Sequence, residues 1–553
     1  MLLPLLQLSR QPGLVTFEAA CRNVAAAQRQ FLLDHVRRHK DTRFGRQHGY
    51  SSIRTVDDFR QRVTVSGYDA FSPYIDRMLH GEKGVLVPER VEFWSASAGT
   101  TGYRKLVPIT ESYRRQFQST LHLWLHAVGQ DHPRATEGGV VYFAANAHVD
   151  VAPDGTPIGN MSGYNFTHVP SVLQRLYAVP LQAFEVPDPA VRSYVVARCA
   201  LASDITWLIA VSSHSLHALF ETLRHDADAL LQDLHDGTLR HRLPGEAYAA
   251  LRPYLGARPD RSRAMAARAR FAGGLTPRSA WPGLRLMSCW THGAGAAFLP
   301  EVMAAAPGVP IRGGIYAANE GWIAIPRADG DVPGVLAVQS NFYEFIPVDE
   351  AGTPHGDPLL AHELSLRGRY SPVLTNGTGL ARYRMDDVVQ VDGFHAQAPM
   401  LRFVQKAGSA LSLRGENTTE AHARDAMHRA MMATGLHPAR WAVAASPRTH
   451  GAPRYTFLIE WAAQRTLQMG ADARLARALD EALCEVHPPY RERRQEGVLD
   501  ACTVSHVAAG AFARVQLERA RHSHAGEQLK TLHVIKEGTI RDLFEVEAEV
   551  DGE

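Results

Sequence analysis

Apolar positions along the chain follow two rhythms. At helical spacing they mark residues 17–40, closing on Arg37-Arg38-His39-Lys40, where cations complement the negative end of a helix dipole. The pattern predicts one helix there and the start of another at Val56-Asp57-Asp58-Phe59. A third helix opens at Thr110-Glu111-Ser112 and runs to about Val128, with Thr110 in the N-cap position. Tyr113, Phe117, Leu121 and Trp124 are spaced near four and share one face of it. That face suits core packing or the wall of an apolar pocket. Shorter apolar runs predict strands at 91–94, 106–109, 140–144, 206–211, 284–290, 310–316 and 343–347. Residues 154–157 and 159–163 are turn-rich and predict loops. Helices are expected at 193–201, at 216–231, and from the Thr291-His292-Gly293-Ala294-Gly295 turn to about Ala306. The middle of the chain thus alternates strand, turn and helix, as a doubly wound α/β sheet does. Residues 235–280 are rich in Arg and Ala and predict helices with a connecting surface. From about 406 a separate αβ pattern begins, with helices at 419–434 and 473–486 and strands at 455–461 and around Val504.

Size and charge narrow this picture. The 553 residues exceed a single core, so a large domain and a smaller one are expected. Net charge is +2, from 59 basic and 57 acidic side chains, which gives no reason to expect nucleic acid or a membrane surface as partner. Five scattered cysteines, without C-x-x-C spacing, read as reduced thiols of a cytoplasmic protein. No apolar run reaches the roughly 18 residues of a membrane span. The apolar start, residues 1–8, is short and lacks a basic stretch, so no signal peptide is expected. Histidines number 27, and His522 with His524 could bind metal, but no H-E-x-x-H or Cys/His zinc pattern occurs.

Three stretches carry candidate chemistry. The first is Ser97-Ala98-Gly99-Thr100-Thr101-Gly102-Tyr103-Arg104-Lys105, set between two strands. Glycines let main-chain N–H groups approach an anion, hydroxyls donate to it, and Lys105 adds a point charge, so the stretch suits phosphate. It is neither a Walker loop nor a G-x-G-x-x-G turn, and an ordinary Gly/Thr hairpin would have the same composition. The second is Tyr316-Ala317-Ala318-Asn319-Glu320-Gly321, at the end of the strand expected over 310–316. A lone carboxylate beside small residues suits a metal–phosphate site. The third is Tyr383-Arg384-Met385-Asp386-Asp387-Val388, where an acidic residue at a turn could accept hydrogen bonds from a ribose diol. His214, in the Ser212-Ser213-His214-Ser215 turn after a strand, faces a site or caps a helix.

In this order the three stretches resemble the nucleotide-binding motifs of the adenylate-forming superfamily. More closely, the chain is similar to the auxin-responsive (Gretchen Hagen) family of acyl-acid amido synthetases. Trp281-Pro282-Gly283-Leu284, Ser288 to Gly293, Phe345-Ile346-Pro347, His362-Glu363-Leu364 and Gln528-Leu529-Lys530 extend the resemblance over nearly the whole chain. It implies a large N-terminal domain of mixed sheets flanked by helices with a β-barrel-like part, residues 1–405, and a small mobile α+β lid, residues 406–553. It implies ATP and Mg²⁺. Ser97, Gly99, Thr100, Thr101, Gly102 and Lys105 would hold the phosphates. Tyr316 and Ala317 would flank the adenine, Glu320 would bind Mg²⁺, and Tyr383 belongs to the motif in which Asp387 would bind the ribose. Lys530 would reach the α-phosphate. The implied reaction activates a small carboxylic acid as acyl-AMP, then transfers the acyl group to an amine, usually an amino acid. Tyr113, Phe117, Trp124 and His214 are candidate substrate contacts.

The chain departs from the family pattern at Ala98, Asn319, Asp386, Gln405-Lys406 and Asn417. Asp386 replaces a glycine and so bears on backbone conformation. Two other readings stay open on the sequence: transfer to a thiol of coenzyme A or a carrier protein, and a non-catalytic nucleotide- or acyl-binding protein of the same fold.

Overall fold

The computed structural model describes residues 11–97, 105–169, 171–296, 298–349, 352–407, 411–414, 416–446, 451–461, 470–515, 533–535, 544 and 546–551. Its strands form four sheets. In the first, β1 (Val91–Ser97) pairs antiparallel with β2 (Lys105–Thr110) and parallel with a short β5 (Pro157–Gly159), which carries β4 (Asp150–Val151) on its outer edge. The second is parallel throughout, in the order β3 (Gly139–Tyr142), β6 (Ile205–Ser212), β7 (Leu286–Trp290), β8 (Ile311–Gly313). Helices Pro189–Leu201, Ser213–His225 and Leu299–Ala305 lie in the connections between its strands. Its strands are almost wholly apolar because both faces are covered.

The third sheet has nine strands, all antiparallel: β9 (Tyr316–Ala318), β10 (Gly321–Ile325), β11 (Gly334–Leu336), β12 (Phe342–Pro347), β13 (Leu359–Leu360), β14 (Arg369–Thr375), β15 (Tyr383–Arg384), β16 (Asp387–His395) and β17 (Ala398–Lys406). Its path runs β13-β12-β14-β16-β17-β11-β10-β9, with β15 attached to β14. Two register shifts between β16 and β17 sharpen its twist. The fourth sheet orders β21 (Val534–Ile535), β18 (Arg440–Ser446), β19 (Arg454–Glu460), β20 (Thr503–Val507) and β22 (Val546–Asp551). Helices Glu420–Thr434 and Ala471–Val486 pack on each other beside it.

Burial follows the sheets. One apolar cluster joins the N-terminal helices to the antiparallel sheet, from Phe17 to Phe403. A second surrounds the parallel sheet. A third is built wholly from residues 411–504.

Several elements differ from the expectation. The helix over 17–40 is two helices, Gln11–Arg22 and Val24–His39, because the Asn23 side chain accepts from Ala26 N and starts a new one. The helix over 216–231 likewise breaks at Asp226, giving Ser213–His225 and Ala227–Asp236. The strand over 310–316 is divided: β8 ends at Gly313, β9 starts at Tyr316, and the two lie in different sheets. Residues 159–163 are not a loop but the end of β5 and the start of helix Met161–Thr167. Gly163 serves packing there, since a Cβ on it would lie 2.2 Å from the Ala145 carbonyl oxygen. The strand at 343–347, whose aromatic run reads as a sheet edge in the sequence, is flanked on both sides, by β13 and β14.

Candidate active site

Glu320 occupies the tight turn between β9 and β10, where Ala318 and Gly321 are paired. It is 9% exposed. Its carbonyl oxygen accepts from the Asn376 side-chain amide. The Asn376 oxygen in turn accepts from Thr378 N at 3.0 Å and from the Thr378 hydroxyl at 2.6 Å. Gly379 completes this second turn at φ 83°, with its Cα so close to Leu86 that a Cβ would lie 2.6 Å from the Leu86 carbonyl oxygen. Gly321 is equally confined, by Leu374 and Asn341. The carboxylate is thus carried on a turn that has no freedom to swing.

Tyr383, on β15, is fully buried. Its hydroxyl donates to Glu320 Oε1 at 3.0 Å and accepts from Lys105 Nζ at 3.4 Å. Burial raises the phenol's pKa, and the neighbouring Glu320 charge raises it further, so the hydroxyl stays neutral and serves both charges at once. Lys105 starts β2 opposite Ser97, and its Nζ lies 5.7 Å from the centre of the Tyr68 ring. The Tyr68 hydroxyl accepts from Leu106 N at 2.7 Å and donates to Leu106 O at 3.1 Å, which fixes the strand just past the lysine. Behind Tyr383, Arg382 takes φ 50° and sends its guanidinium to Glu344 at 2.8 and 3.0 Å. Arg60 meets the same carboxylate at 2.8 Å.

Asp387 opens β16 and is 2% exposed. Its Oδ2 accepts from the Tyr316 hydroxyl at 2.5 Å, and its other oxygen pairs with Lys406 Nζ. Burial works against the charge on Lys406. Asp387, with Glu320 and Asp386, outweighs it, and the ammonium pKa ends above its ordinary value. The neighbouring Asp386 turns away to Arg384 Nε at 2.6 Å and has φ 55°. That is a left-handed backbone, and Asp is among the few residues other than glycine that tolerate it. The Tyr316 ring lies near-parallel to Trp290, centroids 6.2 Å apart, and edge-on to Phe403 at 5.6 Å. Ala317 is half-buried beside it on β9.

The remaining expected residues fall into three groups. Ala98, Gly99, Thr100, Thr101, Gly102 and Lys530 lie outside the described residues, as do His522 and His524. Tyr113, Phe117 and Trp124 are buried, each against different neighbours. Tyr113 packs with Phe93, Val107, Ile109 and Tyr164, and the Glu320 charge adds to burial in raising its pKa. Phe117 meets the Trp322 ring. Trp124 donates to the Gly313 carbonyl at 2.9 Å and stacks on Trp207. His214 packs against Phe298, ring centroids 5.2 Å apart, and burial pushes its pKa down to about 4. None of its contacts among the described residues reaches Lys105, Glu320 or Asp387. Tyr68, Asn376 and Phe403 were not anticipated. Asn376-Gly377-Thr378-Gly379 carries a turn signal that points to it, whereas Tyr68 and Phe403 carry none.

No group of three or more His, Cys, Asp or Glu among the described residues is placed so that it could hold a metal ion by itself. The cluster offers one unpaired edge of a carboxylate, one ammonium, an aromatic wall and a buried acid held by a tyrosine. Together these are the parts needed to position and neutralise a phosphorylated nucleoside.

Comparison with known proteins gives the same direction. Sequence models described as the GH3 family N-terminal, central and C-terminal domains match residues 13–311, 334–406 and 421–539. The chain is similar to indole-3-acetic acid-amido synthetase GH3.3 of Arabidopsis thaliana, 24% identical over 436 residues, spanning 76% of this chain and 73% of that protein. It is 28% identical over 433 residues to indole-3-acetic acid-amido synthetase GH3.8 of Oryza sativa subsp. indica, spanning 74% of this chain and 70% of the relative. A solved structure, AtGH3.15 acyl acid amido synthetase in complex with 2,4-DB, superposes with a TM-score of 0.84 at 18% identity, covering 98% of this chain and 97% of that one.

Proposed function

The chain belongs to the GH3 family, and on that premise we propose that it is an ATP-dependent ligase joining a small carboxylic acid to an amine through an acyl-adenylate. The observation that carries this reading is the meeting of Lys105, Tyr383 and Glu320, with Tyr316 and Asp387 beside them, from three segments far apart in sequence. The names of its relatives, indole-3-acetic acid-amido synthetases, supply the reaction class.

Asp387, oriented by the Tyr316 hydroxyl, would accept from the ribose hydroxyls. Trp290, Tyr316 and Phe403 would border the base. Lys105, with Ser97 and the hydroxyls and N–H groups of residues 98–104, would hold the phosphates. Mg²⁺ fits this donor set: Glu320 supplies one carboxylate, and such an ion takes its remaining ligands from phosphates and water. When bound, it neutralises phosphate charge. The substrate carboxylate attacks the α-phosphorus, the bond to pyrophosphate breaks, and acyl-AMP forms. The amine then attacks the acyl carbon, gives up a proton, and displaces AMP. Lys530 would steady the α-phosphate from the lid of residues 406–553, which closes over residues 1–405 and keeps water from the acyl-adenylate. No helix among the described residues is long and apolar enough to cross a membrane, and a cytoplasmic location goes with this reading.

The test is pyrophosphate release from ATP and Mg²⁺ across a panel of carboxylic acids, with and without pooled amino acids, for the wild type, Glu320→Gln and Lys530→Ala. Acid-dependent release that both variants lose, and that amino acids stimulate, is the expected result. Release stimulated by coenzyme A and by no amine overturns the amide assignment. Release from no acid, despite ATP binding, overturns the enzyme.

A further inference from the structure

Residues 411–504 build an apolar core of their own, and the clusters around the sheets before them contain no residue beyond Phe403. No buried apolar cluster among the described residues spans the junction. Two parts joined in this way are free to move unless particular side chains hold them.

Arg440, the first residue of β18, crosses that junction. Its guanidinium carbon lies 5.4 Å from the centre of the Phe298 ring. Phe298 belongs to the other part, where it precedes helix Leu299–Ala305 beside the parallel sheet. The strand end that carries Arg440 is fixed by Ala439 N, which donates to the Glu460 carbonyl at 2.8 Å. The Glu460 carboxylate is occupied elsewhere, by Gly510 N and Phe512 N at 3.0 Å each. Arg440 makes no ion pair or hydrogen bond among the described residues, so the aromatic face is its partner. Burial lowers the guanidinium pKa against the opposing pull of Glu460, yet an arginine stays charged.

Phe298 is held in turn by helix Ser213–His225. Ser213 Oγ accepts from Phe298 N at 3.0 Å. The His217 ring lies near-parallel to Phe298 at 4.7 Å, and the His214 ring is tilted to it at 5.2 Å. Three residues apart, the two imidazoles share one face of the helix. The His214 Nδ1 is buried without a hydrogen-bond partner. Burial is the first cause that lowers both imidazole pKa values, and the Arg440 charge adds to it. His214 is lowered further by His217, and His217 by Arg224, while Glu221 and Glu301 act on His217 in the opposite sense. Glu221 is itself paired with Arg224 at 2.6 Å. Coupling between sites is reciprocal, so a cation that resists protonation of the imidazoles is unseated when they are protonated.

We propose that Arg440, seated on Phe298, is a latch that docks the last αβ part against helix Ser213–His225, and that protonation of His214 and His217 releases it. The inference rests on reading residues 406–553 as a lid, and adds what holds that lid and what frees it. Docked, both imidazoles are neutral near neutrality. Undocked, they lose the Arg440 charge and take up protons at a higher pH. The undocked state therefore binds more protons, and docking weakens as pH falls below about 6.5.

The test is amide hydrogen exchange of the full-length protein without ATP, acid or amine, so its outcome does not depend on pyrophosphate release. Protection of residues 298–305 and 440–446 is compared with that of the parallel-sheet core, residues 205–209, after correction for the intrinsic pH dependence of exchange. At pH 7.5, Arg440→Gln should lower protection in both junction segments roughly 2- to 30-fold and leave the sheet core unchanged, and Arg440→Lys should restore part of it. In the wild type, protection of both segments should fall between pH 7.5 and 5.5 by up to about tenfold for each histidine. The double variant His214→Leu with His217→Phe, which keeps the apolar packing and cannot titrate, should lose that dependence. Wild-type protection in Arg440→Gln overturns the latch, as does a loss confined to residues 440–446, which is local fraying. Arg440→Lys no better protected than Arg440→Gln overturns the role of the cation. A pH dependence that the double variant retains overturns the release.

Discussion

Tyr383 joins an ammonium to a carboxylate because a neutral phenol has both a proton to give and a lone pair to offer. Tyr383→Phe removes both bonds and leaves the ring in place. A hydrogen bond to a charged group contributes about 1.5–3 kcal/mol, so pyrophosphate release should fall roughly 10- to 100-fold with an unchanged circular dichroism spectrum. A variant within twofold of wild type would show that the hydroxyl does not position Glu320 or Lys105. Asp386 poses a backbone question instead. At φ 55° a β-branched residue is strongly disfavoured, so Asp386→Val should cost about 1–2 kcal/mol in urea unfolding. Asp386→Gly should lie within about 1 kcal/mol of wild type, since relief of the left-handed strain is offset by the greater freedom of the unfolded chain.

Between elements, the firmest tie near the site is Glu344 on β12, which holds Arg60 of helix Val56–Arg62 and Arg382 just ahead of β15. Glu344→Gln leaves a buried guanidinium uncompensated and should destabilise the protein by about 3–5 kcal/mol. Pyrophosphate release should weaken as well, because Arg382 anchors the strand that carries Tyr383. Equal loss of stability with full activity in the surviving fold would separate the clamp from the site. Element by element, the sequence is legible where chemistry is local. Lys105, Tyr316, Glu320, Tyr383 and Asp387 stand out because each lies in a short run of unusual composition. Their convergence is not legible, since it depends on pairing in a nine-stranded antiparallel sheet whose neighbours, such as β11 and β17, are distant in the chain. The breaks at Asn23 and Asp226 are hidden for another reason: one capping residue interrupts an apolar rhythm that continues on both sides. The passage from β8 to β9 is hidden because the apolar run carries on across Gly313 and Gly314 while the chain changes sheet. Tyr68 and Phe403 gave no warning, as aromatic residues are ordinary core material until their partners are known.

Across the whole molecule, neutral histidines, buried or half-buried, recur in separate places, and they tie stability to pH. His39 in the N-terminal helices, His214 beside the parallel sheet, and His422 and His533 in the last part of the chain all have pKa values pushed down to about 4 by burial. The unfolded chain takes up these protons near pH 6.5, while the folded protein refuses them until about 4. Between those values the unfolded state binds more protons, so stability falls as pH falls, by about 1.4 kcal/mol per pH unit for each such group. His422 allows a clean test. It stacks on His487 at 4.0 Å, and Arg369 of the antiparallel sheet adds to the lowering of its pKa, which places it close to the junction between the last αβ part and the rest. Its ring accepts from Thr419 N at 3.3 Å in a capping box at the start of helix Glu420–Thr434. Glutamine satisfies the same box without titrating. His422→Gln should therefore melt within a degree or two of wild type at pH 7.5 and at a clearly higher temperature than wild type at pH 5. Parallel melting curves at both pH values would mean that His422 is protonated in the fold as readily as in the unfolded chain.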